Sequence, residues 1–152
     1  LQKWAVQTGG DLMAFTGNYS CNTLRSGLMA GSINFSTNTF YLALYTNTAT
    51  LDETTAAYTI NGEVSAVGYT AGGQQVTATV TSETTSSGSI VYVDFSSPSW
   101  TSALTTRGAL IYRQSDGLAI CVLDFGNDKT STNTFTVQMP ANTSTSALIR
   151  LV

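Results

Sequence analysis

Only 10% of the 152 residues are charged and the formal net charge is −3, while 42% are apolar and most of the rest are Thr, Ser, Asn and Gly. A chain of this length builds one domain with a genuine core. Its six basic residues, spread from Lys3 to Arg150, form no patch suited to neutralising a phosphate backbone, so nucleic-acid binding is not expected. The charge content is far below the roughly 25% of a typical soluble domain, and a surface of hydroxyls and amides suits an extracellular or virion protein held against neighbours.

In chain order, Leu1 to Gly17 carries Trp4, Val6, Leu12, Met13 and Phe15 without a sustained period and is broken by Gly9, Gly10 and Gly17. It reads as an extended N-terminal arm whose aromatics pack on the body or on a neighbouring subunit. No basic-then-apolar leader opens the sequence and no apolar run approaches the ~20 residues of a membrane span, so neither a leader nor a membrane partner is expected. From Asn18 to Gly31 the pattern turns helical, with Ser20 as N-cap, Leu24, Leu28 and Met29 on one face, and Gly31 as the stop.

Strands follow from about residue 39: Thr39 to Tyr45, Gln74 to Thr81, Ser89 to Phe95, the run Arg107 to Phe125, Thr134 to Met139, and Ala147 to Val152. Period-two alternation between Thr, Ser, Asn and Gly clusters predicts a mainly β domain over residues 18–152, an antiparallel β-sandwich or barrel. The stretch Arg107 to Phe125 stands at its centre. It writes two apolar segments around Gln114-Ser115-Asp116-Gly117, and the Asp-Gly step supplies the positive φ of a hairpin turn. Both segments are apolar on both faces, which places them in the middle of a sheet packed on each side, or in a sheet whose second face meets another subunit. The longest break, Thr46 to Gly73, is of a length usually given to function or to an interface. Thr81 to Gly88 and Asn127 to Asn133 read as polar turns.

Catalytic chemistry is hard to place in a chain with no His and nine carboxylates. The commonest general base is missing, and no Gly-x-Ser-x-Gly or Ser-x-x-Lys pattern supplies an activated hydroxyl. The chain is therefore expected not to be an enzyme and to need no cofactor. Asp124, Asn127 and Asp128 could converge on Ca²⁺, but their spacing is not that of an EF-hand and an Asx turn explains them better, so no metal is expected. Asp94 and Asp124 are expected to face water or to meet Arg107 or Arg113 across the sheet. Gly72-Gly73 could cradle an anion but reads as a turn. Cys21 and Cys121 are expected to be reduced and buried, although a disulfide between them is compatible with the sequence. The tyrosines and Trp100 could form a sugar-binding platform, yet most fall within predicted strands and read as core or contact residues.

Three stretches together carry a resemblance: Leu24 to Phe35 leading into Phe40-Tyr41-Leu42-Ala43-Leu44-Tyr45; Gly62-Glu63-Val64 through Gly68-Tyr69-Thr70-Ala71-Gly72-Gly73; and the hairpin with its Val122-Leu123-Asp124-Phe125-Gly126 tail. In order and spacing, from roughly Ser20 to Val152, they resemble a family of small virion structural proteins of tailed bacteriophages. The resemblance implies a virion part. The expectation drawn from it is a capsid decoration, or cement, protein on the capsid surface, bound to the major capsid protein or other virion proteins and acting as a homo-oligomer, a trimer by analogy. A tail, fibre or head-tail connection component is the alternative, and a carbohydrate-binding module a third. Trp4 and Phe15 of the arm, with Tyr58 and Tyr69 from the long break, are the expected interface residues.

Overall fold

The computed structural model describes residues 15–86 and 88–151, so Trp4 and most of the expected arm lie outside the described residues. Among them the chain forms β1 (Tyr19–Ser20), α1 (Asn22–Met29), β2 (Phe40–Tyr45), β3 (Gln74–Val76), β4 (Ala78–Thr85), β5 (Gly88–Phe95), β6 (Ser99–Thr101), β7 (Leu104–Arg113), β8 (Ala119–Ser131), β9 (Thr134–Thr136) and β10 (Ile149–Leu151). The domain is mainly β, with antiparallel pairing throughout and one short helix. A five-stranded sheet runs β1-β8-β7-β2-β3, a three-stranded sheet runs β10-β5-β4, and β6 pairs with β9.

The β7–β8 hairpin is the centre that its sequence predicts. Gly117 takes φ +74° and donates to the Arg113 carbonyl at 2.9 Å, while the Arg113 N–H closes the turn onto the Leu118 carbonyl at 2.8 Å. The Arg113 guanidinium reaches both oxygens of Asp116, at 3.0 and 2.7 Å, and this pairing holds the Asp116 carboxyl below its ordinary range. Because β7 lies between β8 and β2, its alternating side chains feed two separate cores. Ala109 and Ile111, with Phe40, Leu42 and Leu44 of β2, point into the larger core. Leu110 and Tyr112, with Ala43 and Tyr45, point into the other.

Different elements cover the two faces. Over the larger core lie Val93 and Phe95 of β5, Trp100 of β6 and Leu24 of α1, and the rings of Phe35, Phe40 and Phe95 meet pairwise with centroids 5.3 to 6.1 Å apart. Over the other face lie Phe15, together with Ala49, Leu51 and Tyr58 of the long connection between β2 and β3. That connection is thus the second lid of the central sheet.

Several boundaries differ from the sequence pattern, each for a local reason. The helix begins at Asn22 because Tyr19 and Ser20 are drawn into the sheet beside Val122 and Cys121; Cys21 takes the N-cap position without a side-chain cap bond. Of its expected face, Leu24 is buried and Leu28 packs on the core, but Met29 is 91% exposed, since an eight-residue helix presents only one turn to the sheet. The run Gln74 to Thr81 divides at Thr77, whose N–H turns to the Ser96 hydroxyl at 2.9 Å, and the chain there leaves one sheet for another. Thr81 to Gly88 and Asn127 to Asn133 are not turns in the main. β4 extends to Thr85 and β8 to Ser131, because Thr-rich segments suit a pleated strand even when both faces meet water. The two cysteines are buried free thiols, and burial pushes the Cys21 thiol up to about 12.

Gly73 shows how closely the long connection rejoins the sheet: it has φ +76°, and a Cβ there would lie 1.8 Å from the Leu42 carbonyl oxygen. Gly31, which ends the helix region at φ +68°, faces open space. Gly73→Ala should cost at least about 3 kcal/mol, since backbone must move as well as adopt a left-handed conformation, whereas Gly31→Ala should cost about 1 kcal/mol from the conformation alone. Denaturant unfolding of both variants measures the difference.

Candidate functional site

The long connection is held by a carboxylate enclosed in tyrosines. An isolated bridge between Tyr45 and Glu63 carries the connection past the end of β2. Glu63 then accepts from the Tyr58 hydroxyl at 2.6 Å through Oε2, and through Oε1 from the Tyr69 hydroxyl and the Gly72 N–H, each at 2.7 Å. The Gly72-Gly73 turn does receive an anion, and the anion is the chain's own. Tyr69 also accepts the Leu44 N–H at 2.9 Å, standing in for the strand that β2 lacks once β3 has ended. Tyr112 stacks on Tyr58 with centroids 4.7 Å apart and donates to the Gly72 carbonyl at 2.8 Å. Burial, then the Glu63 charge, pushes the Tyr112 hydroxyl up to about 12. With three donors on its two oxygens, Glu63 serves as a structural tie.

Arg107 and Asp124 form a second internal pair. Arg107 donates to Asp124 across the hairpin where the β7–β8 register shifts, and its guanidinium lies 5.9 Å from the centroid of the Phe15 ring. Phe15, 1% exposed, fills the space that Gly108 leaves open. Of the expected interface residues, Phe15, Tyr58 and Tyr69 are all placed by contacts within the chain. Asp124 meets Arg107, as one expected arrangement had it.

Asp94 departs from its expectation. It meets no arginine and is 5% exposed, opening onto a cleft and not onto the free surface, and the hydrogen bond it makes is from the N–H of the next residue, Phe95, at 2.8 Å. The reason lies in β5, which turns Val93 and Phe95 to the core and Asp94 to the opposite face beside Thr79 of β4. There Asp94 lines an open cleft of about 590 Å³ between that face and residues 138–142. Two side-chain bonds hold the walls. The Ser96 hydroxyl accepts the Thr77 N–H at 2.9 Å and the Ser97 hydroxyl accepts the Met139 N–H at 3.0 Å. Burial raises the Asp94 carboxyl above its ordinary range, and the Phe95 N–H opposes this.

The core-facing side of the same three-stranded sheet extends past the core it covers. Beyond Phe95 and Val93 come Val80, Val91 and Leu151, which are 44%, 38% and 59% exposed; Val91 pairs in register with Leu151. Next to this strip, β4 is the sheet's outer strand, so among the described residues one edge of Ala78–Thr85 has no strand beside it. Val80, Val91 and Leu151 all fall in segments the sequence reads as strands; what the pattern does not give is that the core ends before it covers them. Trp100, offered above for a sugar platform, is buried. Among the described residues no group of His, Cys, Asp and Glu could hold a metal, and no helix is long and apolar enough to cross a membrane. No family model, curated protein or solved structure matches this chain.

Tyr69→Phe should cost about 2 kcal/mol, because it leaves the Leu44 N–H without its acceptor, while Tyr19→Phe, whose hydroxyl meets the exposed Thr16 side chain, should cost under about 0.5 kcal/mol. Urea unfolding checks both. Asp94 gives the opposite sign. A carboxyl whose folded pKa is raised binds its proton more tightly in the folded chain, so its contribution to stability is lost as pH rises above the ordinary carboxylate range. Asp94→Asn should therefore melt above the parent chain at pH 7 and together with it near pH 3, as thermal unfolding at the two pH values will measure.

Proposed function

We propose that this chain is a non-enzymatic structural protein of a tailed-bacteriophage virion, a capsid decoration protein that binds the outer shell and reinforces the head. The observation that carries this reading is the overhanging face of Val80, Val91 and Leu151 beside the open edge of β4. Exposed strand edges are commonly blunted by charged side chains, Pro or short length, and β4, with the sequence ATVTSETT, is eight residues long, has no Lys or Pro and carries a single charge, Glu83, which alternation places on the face opposite Val80. An apolar strip continuous with a core, rimmed by Thr and Ser, has the make-up of a contact surface: an uncharged centre that excludes water and a hydroxyl rim that is cheap to desolvate. The partner it fits is the neighbouring shell protein. Each contact of this size is weak, and repetition over a symmetric shell makes many of them cooperate.

The sparse charge supports the same reading, since few long ionised side chains must be ordered or desolvated on docking. The resemblance of its motif order to small virion structural proteins of tailed bacteriophages supplies the biological setting.

Separating virions into heads and tails and quantifying the chain in each by mass spectrometry tests the proposal: many copies travelling with heads are expected. A few copies confined to tails would overturn decoration in favour of a tail or fibre role, and absence from both would overturn the virion reading. For the surface itself, Val80→Glu combined with Val91→Glu should leave the fold intact and reduce head occupancy at least about tenfold, the loss of roughly 1.4 kcal/mol. Undiminished occupancy by the folded variant would remove this face from the contact.

A further inference from the structure

On the face of the three-stranded sheet opposite the apolar overhang, Asp94 is a nearly buried carboxylate to which the chain itself gives one hydrogen bond, its remaining acceptor positions opening onto the cleft. A carboxylate offers about four acceptor positions, and here one local N–H, that of Phe95, is given to it. Neither of the ion pairs Arg107–Asp124 and Arg113–Asp116 involves Asp94. By contrast, Glu63 receives three donors and Asp124 receives an arginine. Asp94 instead lines a cleft whose walls are held by Ser96 and Ser97 and whose far side is Met139 and Pro140.

We propose that this cleft is a binding site for an alkylammonium group, the chemistry of a lysine side chain. The buried carboxylate supplies the countercharge in a partly desolvated setting, where a charge-assisted hydrogen bond is strongest. One Asp94 oxygen is already engaged by Phe95, which leaves a single strong acceptor. A compact ammonium with three separately directed donors matches that better than a guanidinium, which favours a two-oxygen fork. Thr77 and Thr79 line the cleft with Asp94 and carry hydroxyls able to accept the remaining donors, and Met139 and Pro140 offer apolar surface to the carbon stem. A divalent ion is a poorer match, because Asp94 is the one carboxylate on the cleft. A sugar finds no exposed aromatic face there, since the Phe95 ring is turned to the core. Volume is ample: about 590 Å³ admits a lysine together with its flanking backbone. The site does not rest on the virion reading, and its partner can be any polypeptide or free amine that presents this group.

The test is a titration of the ¹⁵N-labelled full chain with Nα-acetyl-lysine methylamide, followed by amide chemical shifts. The amides of Phe95, Thr77 and Met139 are the reporters, since each bonds a side chain on the cleft. Saturable shifts at these positions are expected with the lysine compound and not with its norleucine counterpart, which keeps the stem and lacks the charge. Asp94→Asn, checked for an otherwise unchanged spectrum, should weaken the binding about tenfold or more. Tighter binding of the lysine compound than of putrescine would point to a protein side chain as the natural occupant, and the reverse to a free polyamine; either supports the site. Equal shifts with norleucine, undiminished binding by Asp94→Asn, a response to maltose but not to lysine, or no saturable shift at millimolar concentration would each overturn it.

Discussion

Burial of β7 on both faces is the constraint from which the rest of the molecule follows. A strand that carries Ala109, Leu110, Ile111 and Tyr112 in succession has no face to offer to water, so two independent coverings must be built over one sheet. One is made from strands and a helix: β5, β6 and α1 close the larger core. The other is made from a connection with hardly any regular structure, assisted by Phe15. An irregular lid lacks a ladder to satisfy its polar groups, and here side chains take over that work. Glu63 gathers Tyr58, Tyr69 and Gly72 around itself, and Tyr69 in turn serves the strand beneath.

This use of the long connection bears on where function can lie. A connection of that length commonly carries a site, but its tyrosines and Glu63 are here engaged by one another and by the sheet. Among the described residues, the three-stranded sheet carries an apolar strip and a polar cleft on its two faces, while single apolar side chains such as Ile60 and Val67 are exposed on the connection. One face of that sheet runs past the core as a strip of valine and leucine, and the other holds a carboxylate in a polar cleft. The two faces of one small sheet therefore offer different chemistry, water exclusion on one and charge on the other, and a partner engaging both would be gripped around the β4 edge.

The carboxylates illustrate what decides whether an acidic residue is a tie or a site. Asp116 and Asp124 each meet an arginine, and Glu63 meets three donors, so their charges are compensated within the chain. Asp94 lacks such compensation although its sequence setting, an acid before a Phe near a strand end, is the same as that of Asp124. The difference is created by the strands alongside. β8 places Asp124 opposite Gly108, next to Arg107, whereas β4 places Thr79 opposite Asp94.

The sequence by itself determined the elements that depend on nearby residues. The hairpin and its Asp-Gly turn, the strand of Phe40 to Tyr45, the mainly β class and the doubly buried centre all rest on alternation and turn chemistry within some twenty residues, where side-chain period and backbone conformation act directly. What required the tertiary structure was whatever depends on partners distant in the chain. Phe15 became core because Gly108 leaves room for its ring. The run after Gln74 divided because Ser96 captures the Thr77 N–H. Thr-rich segments that read as turns continued as strands because β5 and β7 lay alongside to pair with them. For the same reason the cleft at Asp94 could not be read in advance, since its walls come from residues 77–79, 94–97 and 138–142, and only packing brings these together.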